Sequence, residues 1–213
     1  MGEFHERFTQ DEEFPNWYHW RSPRPVFRDS VVRYSVCRDG QCYALTDEEI
    51  DRDDDIEVTA YCENGNGFGS FHEKSWNYLQ EHAARVEHEL RRKIWSYCVK
   101  NYNAFLKYVE VDDPDWEEIK SALVWEHESA LDPQIELWGI DLIDDGLDDT
   151  GFIVFDFYVG WDEEHGMSVI MHKERVLAAG GGGEFLNCGV GLISAIKYSQ
   201  QFNFDEGDLR IDG

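Results

Sequence analysis

The stretch that decides the fold is residues 151–179, GFIVFDFYVGWDEEHGMSVIMHKERVLAA. Its first third alternates apolar residues with other positions, the two-residue period of a β-strand. The apolar positions of that face are Ile153, Phe155, Phe157 and Val159. Two further apolar runs, 167–172 and 175–179, lie on either side of Lys173-Glu174 and predict a second hairpin. The sequence therefore predicts three consecutive antiparallel strands.

Between the first two of these strands stands a run of four ionisable residues, 162–165, with a tryptophan before it and a glycine after it. Aspartate can accept backbone N–H groups two residues on, glycine can supply a positive φ, and a tryptophan ring can close the edge of a core. We expect these three roles to form a turn held by Trp161, Asp162 and Gly166. The remaining residues have no evident role in a turn and are the candidate binding residues: Glu163, Glu164 and His165.

The same stretch has a second interpretation, as a metal or acid–base site. Carboxylates and imidazoles are common ligands of divalent cations. The candidate ligands are Asp162, Glu163, His165 and His172. No H-x-x-x-H or C-x-x-C spacing fixes them, and no nucleophile stands beside a second carboxylate. The residues favour a protein that is not an enzyme and has no cofactor; the alternative is a metal-dependent or hydrolytic enzyme that uses the Asp162–His172 turn.

Upstream, one segment has the period of an amphipathic helix. Ser70 and Glu73 have the spacing of a capping box, and an apolar stripe recurs at three and four residues after them. Its members are Trp76, Leu79, Ala83, Val86, Leu90, Ile94 and Tyr97. The stripe predicts a helix over about 71–98 that can continue to 108. Asp113-Pro114 then opens a second, shorter helix that ends before Pro133.

Strands flank this helical part on its N-terminal side as well. Residues 26–44 alternate around Asp39-Gly40, a strong hairpin signal, and 56–62 is a further strand. After the helices, 134–143 predicts a strand and 144–150 an acidic turn. The expected fold is α+β: a mainly antiparallel sheet with one long and one shorter helix inserted between N-terminal and C-terminal strands.

Composition divides the chain into three parts. Residues 1–23 form an aromatic-rich N-terminal arm, which we expect to pack on the domain. Residues 24–183 form a single α+β domain. Residues 184–213 form a C-terminal extension with a helical segment at 186–202 and an acidic tail.

Charge bounds the partners of this chain. The net charge is −26, from 45 acidic and 19 basic residues. Such an excess repels phosphates, so we expect no direct nucleic-acid binding and no membrane binding, and a basic protein partner instead. No apolar run approaches the roughly 20 residues of a membrane span, and no secretory signal precedes residue 24, which predicts a cytoplasmic protein. The five cysteines are then reduced thiols, although a Cys37–Cys42 bridge across the first hairpin is geometrically possible.

Residues 157–166, FYVGWDEEHG, are followed by a strand and by Arg175-Val176 before Gly180. This pattern resembles an uncharacterised bacterial domain family marked by a C-terminal W-D-E-E-H-G turn between two strands. The resemblance covers about 24–181; Val159 stands where many members have cysteine. It implies the fold rather than an activity. Such domains resemble those found near bacterial toxin–immunity and defence loci, which implies an immunity or defence-associated protein that covers a basic partner.

Overall fold

A computed structural model of the protein describes residues 2–30, 35–38, 41–44, 55–63, 67–105, 127–160 and 162–181. The fold is α+β, as predicted: a seven-stranded sheet packs against one long helix. The sheet strands are β1 (Thr9–Gln10), β2 (Trp17–Pro23), β5 (Asp55–Tyr61), β6 (Ile135–Leu147), β7 (Thr150–Val159), β8 (Asp162–His172) and β9 (Arg175–Gly181). The other elements are the short helix α1 (Gly2–His5), the hairpin strands β3 (Ser35–Arg38) and β4 (Gln41–Ala44), the helix α2 (Ser70–Phe105) and a 3-10 helix (Glu128–Leu131).

The sheet has the strand order β1-β2-β5-β6-β7-β8-β9. All neighbouring strands pair antiparallel except β5 and β6, which are parallel. A parallel pair cannot be joined by a tight turn and needs a crossover. The chain between β5 and β6 includes α2, which packs on β6, β7 and β9 and so lies across one face of the sheet.

The helix α2 forms where the apolar stripe predicts it. The residues of the stripe face the sheet. The fully or almost fully buried residues on this side of the helix are Trp76, Leu79, Val86, Leu90, Ile94 and Cys98. One irregularity interrupts the helix at His82, where φ is −122° and ψ is 17°. The helix begins at Ser70, one residue before the predicted start, and extends beyond Cys98 to Phe105. The Gly69 carbonyl accepts from the Glu73 N–H, so Gly69 rather than Ser70 stands at the cap position.

Two apolar clusters lie on opposite faces of the sheet. The face that contacts α2 carries the alternating residues of β7, including Phe155 and Phe157, together with Ile140 and Val169 of the neighbouring strands. The other face carries a smaller cluster, which consists of Tyr61, Ile143, Phe152, Val154, Ile170, Leu177 and Ala178. The strand β7 is therefore buried on both faces, as a central strand is, which explains its nearly continuous run of apolar residues.

The prediction of an acidic turn over 144–150 is wrong. Strand β6 continues to Leu147, and only Asp148 and Asp149 connect it to β7. Both have positive φ, 48° and 65°, which is the conformation of a two-residue hairpin turn. Aspartate tolerates this region better than most residues, so a charged sequence that suggests a long loop forms a tight turn.

The N-terminal residues are more regular than the arm that the composition suggests. Strand β2 pairs with β5 over seven residue pairs, from Trp17 with Tyr61 to Pro23 with Asp55, and β1 pairs with β2. The aromatic residues do pack on the domain: the Phe8 ring lies 5.6 Å from that of Trp20 and 5.1 Å from that of Phe68. The sequence did not predict this strand because aromatic residues stand at adjacent positions, so no alternation of apolar and polar residues is visible.

The hairpin around Asp39-Gly40 is confirmed by its flanking strands, in which Cys37 and Cys42 are register partners. Strand β9 continues beyond the predicted apolar run 175–179 to Gly181. The predicted shorter helix, the extension 184–213 and Trp161 lie outside the described residues. In the part of the chain that the structure describes, no helix is long and apolar enough to cross a membrane.

Candidate functional site

The reversal between β7 and β8 is shorter than the predicted turn. Val159 pairs with Asp162, which already belongs to β8, so the chain has reversed by Asp162. The backbone of 162–165 is described as strand. The prediction of a turn that extends to Gly166 therefore needs correction, because the charged residues stand after the reversal and not on its tip.

A bulge of several residues follows this reversal. The register passes from Val159–Asp162 directly to Phe157–Met167, so the single residue Tyr158 on β7 faces the four residues 163–166 on β8. Gly166 ends the bulge with a φ of 69°, and a Cβ on it would lie 2.6 Å from the Phe157 carbonyl oxygen. Only glycine fits there without strain. We call the segment 163–166 the acidic bulge; it contains all three candidate binding residues, Glu163, Glu164 and His165.

Beside the acidic bulge lies a pair of exposed aromatic rings that the sequence reasoning missed. Trp138 is the extra residue of a second bulge, in β6, between Leu137 and Gly139. Its ring is 5.7 Å from the Tyr158 ring at an interplanar angle of 30°, and the two residues are 42% and 47% exposed. Large exposed aromatic residues that lie side by side are typical of interaction surfaces. We call Trp138 and Tyr158 the aromatic pair.

An ion pair borders the aromatic pair. Glu136 stands opposite Tyr158 in the register of β6 and β7. Its carboxylate accepts a hydrogen bond of 2.8 Å from the Arg24 guanidinium, and both side chains are mostly buried. The charge of Glu136 is therefore already balanced by a residue of the same chain.

Two buried carboxyl groups lie further along the same face. Asp141 of β6 is 5% exposed and Asp156 of β7 is 3% exposed. Burial raises the pKa of Asp141 well above its usual range, and the negative charge of Asp156 raises it further. Burial also raises the pKa of Asp156, while hydrogen bonds from Asp141 and from the Ser168 hydroxyl lower it. Burial therefore favours the protonated form of both carboxyl groups, and the neighbouring Asp156 charge favours it most at Asp141.

The buried pair is the inner end of a polar row that crosses the sheet. Thr59 pairs with Asp141 across β5 and β6, and its hydroxyl is 3.3 Å from His19 Nδ1. The same nitrogen is 3.1 Å from Glu57 Oε1, and the other ring nitrogen is 3.1 Å from Asp11 Oδ2. The row thus ends in a half-exposed imidazole between two carboxylates.

His172 lies far along β8 from Asp162, Glu163 and His165, the other residues of the metal alternative. His165 and His172 are seven residues apart on β8, a separation of about 20 Å along a strand even with a bulge between them. His172 Nε2 lies 2.8 Å from the Leu147 carbonyl oxygen, to which the neutral ring donates, and burial lowers the pKa of the imidazole. Among the described residues, no group of three or more ligand-type side chains could hold a metal ion.

Two other places have the residue types of a site but are engaged in structure. A cleft of about 520 Å³ is lined by Arg91, whose guanidinium pairs with Glu87 and Asp132, donates to Ser30 and lies over the Phe27 ring. Its charge is thus balanced within the chain. The Cys62 and Cys98 thiols are free, and burial raises the pKa of each to about 12, which makes them poor nucleophiles.

The family model described as "Domain of unknown function (DUF6985)" matches residues 32–186, well over half of the chain. The chain belongs to this family. The match covers every strand from β3 to β9 as well as α2, and so includes the aromatic pair, the acidic bulge and the buried carboxyl pair. No curated protein and no solved structure matches the chain.

Proposed function

We propose that this protein is a non-enzymatic interaction protein that covers a basic protein partner with the aromatic pair and the acidic bulge. The observation that supports the proposal most is a pair of half-exposed rings: Tyr158 stands opposite the acidic bulge, and Trp138 packs against Tyr158 from β6. Rings of this kind supply most of the binding energy at protein interfaces, and a charged rim guides the partner into register.

The charge of the chain supports a basic partner. A net charge of −26 attracts cationic proteins over distances of about a Debye length and repels nucleic acids and anionic membranes. A small acidic protein of this kind suits the inhibition of an enzyme whose own substrate is a polyanion. We therefore propose a bacterial, cytoplasmic protein with an immunity or defence role, in which the basic face of a toxic partner is the surface covered. We also propose that the W-D-E-E-H-G segment is characteristic of the family.

The placement of His172 does not favour the alternative, an enzyme that uses Asp162–His172. The distance along β8 keeps this imidazole away from His165, and its Nε2 is engaged by the Leu147 carbonyl.

The proposal can be tested by capturing partners of the full-length protein from its native host and measuring association with each purified partner. We expect a partner with a net positive charge whose association rate falls steeply between 50 and 500 mM salt, because salt screens electrostatic steering. The matched control is a Trp138→Ala, Tyr158→Ala variant, which keeps the net charge and should show the same salt slope with faster dissociation. An acidic partner, or an association rate that does not depend on salt, would contradict the proposal.

A further inference from the structure

The aromatic pair and the buried carboxyl pair occupy one face of the sheet. Tyr158 and Asp156 are two residues apart on β7, so their side chains lie on the same side, with Cα atoms about 7 Å apart. On β6, Trp138 directly precedes Gly139, the register partner of Asp156, and a Cβ on Gly139 would lie 3.8 Å from the Asp156 Cβ. Asp156, a buried carboxyl group, therefore lies close to both exposed rings.

The surroundings of the two rings are acidic. Residues 163–166, which include Glu163 and Glu164, stand opposite Tyr158, and the chain as a whole has a net charge of −26. The faces of aromatic rings also carry negative potential, which attracts cations. Both contributions attract positive charge to this surface, so a cation gains from the rings and from the acidic surroundings together.

We propose that the aromatic pair of Trp138 and Tyr158 binds an arginine side chain of the basic partner. This rests on the proposed function and names the group that this surface recognises. A guanidinium is planar and weakly hydrated, so it stacks on a half-exposed ring at little desolvation cost, whereas an ammonium is compact and strongly hydrated. At the border of the surface Glu136 is already paired with Arg24, so the rings are the groups that the guanidinium of the partner contacts.

The experiment uses the full-length protein and three short glycine–serine peptides that differ at two positions: arginine, lysine, or the uncharged arginine isostere citrulline. Affinity is measured by titration, and the tryptophan indole N–H resonances are followed by NMR, with the Trp138 signal assigned from a Trp138→Phe variant. We expect the arginine peptide to bind best, the citrulline peptide worst, and the Trp138 indole to shift on binding of arginine.

Substitution should separate the aromatic contribution from that of general charge. Trp138→Ala and Tyr158→Ala should each weaken the arginine peptide about 3- to 10-fold and remove the preference over lysine. Phe14→Ala is the matched control, since Phe14 is 50% exposed and stacks on Trp17 at another place, and should change nothing. Should an alanine variant unfold, the indole shift of the unmodified protein still decides the question.

Two results would overturn the inference: equal binding of the arginine and citrulline peptides, or a Trp138 indole that does not shift while the arginine peptide binds. Either can occur while a basic partner is still captured with a steep salt dependence, in which case the proposed function stands and only the arginine contact is lost. If the peptides show arginine-selective binding but the physiological partner is acidic, the arginine site stands and the proposed function is contradicted.

Discussion

The two faces of the sheet follow different rules. The face under α2 is apolar from β5 to β9 and is packed by one amphipathic helix. The opposite face has an apolar cluster at one end, a buried carboxyl pair in the middle and two exposed rings at the other end. The first face is a product of hydrophobic periodicity and contributes stability. The second face carries buried carboxyl groups, which lower stability, and exposed rings, which leave apolar surface in water. Proteins keep such groups mainly at sites that bind a ligand or a partner.

The largest effect should come from the helix face. Leu90 of α2 is fully buried, so Leu90→Ala should lower the free energy of unfolding by about 2–5 kcal/mol through lost contacts and the cavity that remains. The measurement is chemical denaturation. His88→Ala on the exposed side of the same helix is the control and should change stability by less than about 0.5 kcal/mol. If Leu90→Ala costs no more than this control does, the packing of α2 described here is wrong.

At the acidic bulge, the substitution Gly166→Ala should cost about 1–3 kcal/mol, because it combines a positive φ with a Cβ 2.6 Å from a carbonyl oxygen. Gly69→Ala is a matched control: it has no positive φ, and the nearest atom to a Cβ there is 3.9 Å away. Thermal melts of both variants compare the two sites. Equal melting temperatures would mean that the bulge relaxes and that residues 163–166 are not held in this conformation.

Replacing the titrating group of Asp141 in the buried pair should increase the stability of the protein. The folded state raises the pKa of Asp141, whereas the unfolded chain ionises this residue near pH 4. Stability is therefore fully present below about pH 4 and is lost as pH rises towards the folded-state pKa. Asp141→Asn keeps a donor towards Asp156 without a titrating group, so it should stabilise the protein by about 1–2 kcal/mol at pH 7 and flatten this pH dependence.

Denaturation between pH 4 and pH 8 measures this effect. Asp149→Asn is the control, since Asp149 is exposed in a turn whose positive φ asparagine also tolerates. A destabilised Asp141→Asn variant at pH 7 would mean that the carboxylate form is required and that no proton is shared by the pair.

The contrast between the faces also explains what the sequence could and could not predict. The stripe of α2 and the alternation of β7 are periodic, so their positions and buried sides follow from the sequence alone. The tight turn at Asp148 and Asp149 was missed because acidic residues suggest solvent-exposed loops, although aspartate also adopts positive φ. The strand β2 was missed because its aromatic residues hide the alternation.

The candidate surface depends on the register between β6 and β7, which cannot be predicted from the sequence of either strand alone. Trp138 and Tyr158 become neighbours only because β6 carries an extra residue between Leu137 and Gly139. Asp141 and Asp156 likewise stand in separate strands whose pairing sets their distance. The nearest signal in the sequence was that each aspartate interrupts an apolar run, and that Asp156 is the single charged residue of β7. The acidic bulge was recognised as a chemical feature, but its placement beside Tyr158 was not.

The smallest effect on stability, and the most informative for function, should come from the double change Glu163→Gln, Glu164→Gln. Our prediction that these side chains point outward is based on the sequence, in which neither has a role in holding the chain. The double variant should therefore unfold within about 0.5 kcal/mol of the parent, as ordinary surface positions do. It removes two negative charges beside the aromatic pair, so it should slow association with a basic partner and make that rate less dependent on salt. Thermal melts and association kinetics at two salt concentrations measure the two effects on the same preparations. A large loss of stability would mean that these carboxylates belong to a buried network, and the opposite face would then be structural at this end as well.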